Sequence, residues 1–103
     1  MSLWIENVTR LVALVDEKLA ADVTASRPDA ASYEACRQRA AYGKAIIDDL
    51  AENEGARFSD RMAPTLTMSG IKSSCTAGHL ALLRNWQAAA RRRIEQHQLG
   101  RAA

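Results

Sequence analysis

Hydrophobic residues recur along this chain in three long files at helical spacing. The first is Trp4, Ile5, Val8, Leu11, Val12, Val15 and Leu19, with Glu6, Arg10, Asp16 and Glu17 lying off it. That periodicity predicts an amphipathic helix over residues 3–22. Its broad aliphatic face suits a helix packed between two others. Glu6 and Arg10 stand one turn apart, a pairing worth roughly a few tenths of a kcal/mol.

The second file is Tyr33, Cys36, Ala40, Gly43, Ile47 and Leu50, in alternating steps of three and four. It predicts a helix over residues 28–53 with the seam of a coiled-coil-like contact. Pro28 and Asp29 suit its first turn, and Gly55 suits the position just past its end. The middle of the file is small. A mid-helix glycine costs roughly 1 kcal/mol against alanine, so Gly43 points to a close approach of two helix axes.

The third file is His79, Leu80, Leu83, Trp86, Ala90 and Ile94, with His97 near its end. It predicts a helix over residues 76–99, capped by Ser74 or Thr76 and closed by Gly100. Ala77, Ala81 and Ala88 give it a flat, small-residue surface on the far side.

Residues 56–75 show no such period, because Pro64, Ser69 and Gly70 interrupt it. Thr65-Leu66-Thr67-Met68 alternates polar and apolar, the mark of a short extended piece. Four residues make a marginal strand unless they pair with their counterpart in another copy. The expected fold is therefore all-α. Three helices form a small antiparallel bundle in one domain spanning residues 1–103, with an irregular segment between the second and third. Alanine, glycine and cysteine in the files leave a thin core, so the bundle is expected to be completed by oligomerisation, a two-fold dimer being simplest.

Composition adds one asymmetry. Net charge is only +2, but residues 1–70 hold 8 basic and 11 acidic side chains, and residues 71–103 hold 6 basic and 1 acidic. Opposite halves can attract each other, a second copy or a polyanion. No apolar run approaches the roughly 20 residues of a membrane span, and no secretory leader is visible. Two cysteines, Cys36 and Cys75, are too few for a disulfide scaffold. A cytoplasmic protein with free thiols and no membrane contact is expected.

Candidate chemistry is sparse. Arg84, Arg91, Arg92 and Arg93 wrap the third helix, where the macrodipole alone favours cations near the C-terminus. Asp48, Asp49, Glu52 and Glu54 crowd the end of the second helix, the unfavourable end for negative charge, and the arginines are the expected counter-charges. Cys75 and His79 stand one turn apart without the further ligands a metal needs or the third group a catalytic pair needs. Gly70-Ile71-Lys72-Ser73-Ser74 lacks the spacing of a phosphate loop, although Lys72, Ser73 and Ser74 precede a helix start. A helix-turn-helix around Ser69–Lys72 has the right turn but carries Pro64 in its first helix.

These residues predict no enzyme, no catalytic or metal site and no cofactor. The leading expectation is a non-enzymatic bacterial module that self-associates and binds a macromolecule such as a protein, packing through Tyr33, Cys36, Ala40, Gly43, Ile47 and Leu50. The alternative is a small DNA-associated protein, a regulator or a phage or mobile-element accessory factor. It would use Lys72, Ser73, Ser74, Arg84, Asn85, Arg91, Arg92 and Arg93 for anion or nucleic-acid contacts.

Overall fold

A computed structural model describes residues 3–21 and 33–102 and corrects the all-α expectation. The fold is mixed α/β: α1 (Leu3–Ala20), α2 (Tyr33–Glu54), β1 (Arg57–Ser59), β2 (Thr65–Met68), β3 (Ile71–Ser74) and α3 (His79–Ala102). The helix start expected at Pro28 and Asp29, and the end of the first helix at Asp22, lie outside the described residues.

What was expected to be irregular is a three-stranded antiparallel meander in the order β1-β2-β3. Gly55, at φ +70°, turns the chain out of α2, and the Ala56 N–H returns to the Leu50 carbonyl at 3.2 Å. β1 then pairs with β2, setting Phe58 opposite Leu66. β2 and β3 form a hairpin around Ser69 and Gly70, with Met68 opposite Ile71. Both turn residues have positive φ, 53° and 77°, the conformation of a two-residue type I′ turn whose twist matches the strands it joins. The alternating piece Thr65–Met68 thus finds partners on both sides within its own chain rather than in a second copy. A bundle of helices alone is ruled out for that reason.

Period-2 alternation gives the sheet one apolar face. Leu66, Met68 and Ile71 are buried and join a single core with Val8, Leu11, Val12 and Val15 of α1, Ile46, Ile47 and Leu50 of α2, and Leu82, Leu83, Trp86 and Ala90 of α3. α3 is the central element, in contact with α1, α2 and the sheet. It buries neighbours in sequence, Leu82 with Leu83 and Trp86 with Gln87, because it is covered from two directions. It begins at His79, where the Leu82 N–H bonds the Gly78 carbonyl, later than the expected caps Ser74 and Thr76.

α1 and α2 run antiparallel, joined by polar side chains. Arg10 pairs with Glu54 at 2.6 Å, Lys18 pairs with Asp49 at 2.6 Å, and the Tyr42 hydroxyl donates to the Lys18 carbonyl. Of the acidic residues at the end of α2, Asp49 and Glu54 are therefore offset by α1 and not by the arginines of α3, and Arg10 reaches Glu54 rather than Glu6. The Arg10 hydrogen bond holds the Glu54 carboxyl below the usual carboxylate range, and Lys18 does the same for Asp49.

The hairpin turn is gripped by indoles. The Trp86 Nε1–H is shared between the carbonyls of Met68 and Ile71, each at 3.2 Å. The Trp4 Nε1–H donates to the Ser69 carbonyl at 2.8 Å, and Asn7 Nδ2 donates to the Ser69 hydroxyl at 3.3 Å. A non-glycine residue at positive φ is disfavoured, and these contacts help hold Ser69 in place. Among the described residues no helix is long and apolar enough to cross a membrane.

Candidate anion-binding groove

The structure sorts the four arginines of α3 into different tasks. Arg91 bonds both oxygens of Asp16 on α1, at 3.3 and 3.0 Å. The same carboxylate accepts at 2.7 Å from Gln87, which is only 4% exposed and also donates to the Val12 carbonyl. A buried amide needs such partners, so Asp16 and Arg91 belong to the α1–α3 contact. Arg93 lies over the Trp4 ring at 5.9 Å, a cation–π contact behind the hairpin clasp. Arg84 and Arg92 are exposed and have no ion-pair partner among the described residues.

Arg92 lines a groove between β3 and α3. Lys72, Ser73 and Ser74 form one wall; Asn85, Ala88, Ala89 and Arg92 form the other, around a space of about 590 Å³. β3 supplies its wall because it is an edge strand. In an antiparallel ladder alternate residues turn their backbone groups away from the partner strand. With Met68 and Ile71 closing the two-residue turn, those residues of β3 are Lys72 and Ser74. Asn85 Nδ2 takes the outward Ser74 carbonyl at 3.0 Å, and the Ser73 hydroxyl bonds the Leu82 carbonyl at 3.4 Å. One outward carbonyl of the edge is thereby taken, while the outward N–H groups stay open. What the groove still offers is the side chains of Lys72 and Arg92, the Ser74 hydroxyl and the outward N–H groups of Lys72 and Ser74, beside the outward Lys72 carbonyl. No carboxylate lines it.

Five of the eight residues expected at an anion or nucleic-acid contact, Lys72, Ser73, Ser74, Asn85 and Arg92, thus meet in one concavity. Arg91 and Arg93 are engaged elsewhere, and Arg84 lies at the rim of a second cleft, of about 320 Å³, between α2 and the start of α3. The packing file of α2 also divides. Gly43, Ile47 and Leu50 are buried, whereas Tyr33, Cys36 and Ala40 are exposed, Tyr33 to 79%. Arg37 lies over the Tyr33 ring at 5.9 Å. Cys36 and Ala40 line the second cleft.

Of the other candidates, Cys75 accepts the Ala77 N–H through sulfur at 3.3 Å, and the His79 ring stacks on Phe58 with centroids 5.3 Å apart. Both cysteines are free thiols. Among the described residues no three His, Cys, Asp or Glu side chains group as metal ligands. Sequence reading missed the grip of Trp4 and Trp86 on the hairpin. Its only trace was a Ser-Gly pair between two four-residue runs, 65–68 and 71–74. No known protein family, curated protein or solved structure matches this chain.

Proposed function

We propose that this chain is a non-enzymatic DNA-associated protein that holds the phosphate backbone of a duplex in the β3–α3 groove. The observation that carries the reading is the meeting of Lys72 and Arg92, both without an acidic partner among the described residues, in the lining of one concavity that holds no carboxylate. Cations lining one space without a counter-charge favour an anion there. Phosphate contacts of this kind position a nucleic acid without reading its sequence. The groove presents no aromatic side chain, so backbone contact is favoured over base stacking.

Self-association, the rival reading, loses half of its packing file to the chain's own core. Tyr33, Cys36 and Ala40 alone make a small patch beside the roughly 800 Å² per partner of a standard interface. Sedimentation velocity would reveal a dimer if that patch suffices.

The test is fluorescence anisotropy with labelled duplex DNA across a salt series. Each phosphate contact contributes about 0.9 to the slope of log affinity against log salt. Replacing both Lys72 and Arg92 with alanine should flatten the slope by about 1.8. A double variant with unchanged affinity and slope would overturn the reading.

A further inference from the structure

The second cleft sets two more cations on the same side of α3. Arg39 lines it from α2 and Arg84 from α3, and no carboxylate is in its lining. Neither arginine has an ion-pair partner among the described residues. Two arginines from different helices line one space without a counter-charge, and an anion there would pair with both.

The cleft adjoins the groove already described. Arg84 in the lining of one precedes Asn85 in the lining of the other, and the chain from Ser74 to Ala77 runs from groove to cleft. Along α3, Ala81, Arg84, Ala88 and Arg92 follow one another at steps of three and four, so they share a face. Arg84 and Arg92 are eight residues apart, about 12 Å at a rise of 1.5 Å per residue. One strand of duplex DNA rises about 3.4 Å per phosphate along the duplex axis, so two cations this far apart meet different phosphates. The alanines between the cations leave the helix surface low enough for a backbone to lie along it.

We infer that Arg39 and Arg84 form a second phosphate subsite, continuous with the Lys72–Arg92 groove, so that one DNA backbone is held at both ends of this face. The inference rests on the nucleic-acid reading above and extends it to α2, which that reading leaves unused. It excludes Arg91 and Arg93 from the contact, although they are neighbours of Arg92 in sequence.

The experiment measures the salt slope for the full chain and three double variants, with circular dichroism confirming that each is folded. Four phosphate contacts predict a wild-type slope of about −3.6, an affinity loss of roughly 150-fold between about 50 and 200 mM salt. Two contacts predict about −1.8, a loss of roughly 12-fold. Arg39→Gln with Arg84→Gln should halve the wild-type slope, as should Lys72→Ala with Arg92→Ala. Arg39→Lys with Arg84→Lys, which keeps the charge, should leave it nearly intact. If the Arg39/Arg84 glutamine variant binds as wild type while the Lys72/Arg92 variant loses slope, the second subsite is refuted and the groove reading stands. If the wild-type chain shows no salt-dependent binding, both fall together.

Discussion

Adding one methyl group at Gly43 sets two effects of similar size against each other. Alanine is a better helix former than glycine by about 1 kcal/mol, so an unobstructed site gains stability. Gly43 is obstructed. A Cβ built there stands 2.8 Å from His79 Cβ, 3.1 Å from the Leu80 backbone nitrogen and 3.3 Å from Leu80 Cγ. Carbon pairs prefer at least about 3.5 Å, so the first contact is short by about 0.7 Å. His79 Cβ and the Leu80 nitrogen are fixed to the backbone of α3 and cannot rotate away. The first turn of α3 must retreat, loosening Leu80 and the Phe58–His79 stack. Overpacking of this kind costs about 1–3 kcal/mol, which exceeds the propensity gain. Gly43→Ala should therefore destabilise the protein by about 1 kcal/mol, and Gly43→Leu by more. Gly100 is the control, being in α3 with nothing within 4 Å of its would-be Cβ. Gly100→Ala should leave stability unchanged or raise it by up to about 1 kcal/mol. Urea denaturation followed by far-UV circular dichroism gives both values. Equal stabilisation by the two alanines would refute the close approach of α2 and α3.

Trp86→Phe removes the donor shared by the Met68 and Ile71 carbonyls and should cost about 1–3 kcal/mol in the same denaturation assay. Arg91→Ala with Arg93→Ala breaks the Asp16 and Trp4 contacts, so it should lower the melting temperature while leaving the DNA salt slope unchanged. Glu54 and Asp49 have folded pKa values below their unfolded ones, so the unfolded chain takes up protons first as pH falls. Their stabilisation is complete at neutral pH and is lost as pH falls through the carboxylate range. Glu54→Gln should therefore flatten the acid limb of a stability–pH profile, while an unaltered limb would remove the Arg10–Glu54 pair from the account.

The helices were legible because each carries enough periodic positions to be read alone. Val8, Leu11, Val12 and Val15 mark the buried face of α1 without reference to the rest of the chain. The hairpin was not legible, since four-residue strands carry two core positions apiece at most. The turn residues are Ser-Gly rather than the stronger Asn-Gly or Asp-Gly. Its support comes from Trp4 and Trp86, 65 and 15–18 residues away in sequence. The groove itself was not legible, only its residues as candidates, because Lys72, Ser73 and Ser74 lie on β3 rather than before a helix start. Lys72, Ser73, Ser74, Asn85 and Arg92 were candidates, but so were Arg91 and Arg93, and only the position of α1 separates them. Arg39 gave no signal because it lies off the packing file of α2.

Both tryptophans of this chain hydrogen-bond to one β-turn. Their emission is consequently a local gauge. If the hairpin lifts away from α1 and α3, Trp86 enters water and Trp4 loses the Ser69 carbonyl, so the spectrum moves while most helical ellipticity is retained. If α2 comes away instead, ellipticity falls while both indoles keep their hydrogen bonds to the turn, because neither bonds to α2. Overlaying the two signals along a denaturation curve tests whether sheet and helices unfold as one unit. Coincident curves mean a single cooperative structure, and separated curves order the events, with the indoles dating the loss of the hairpin.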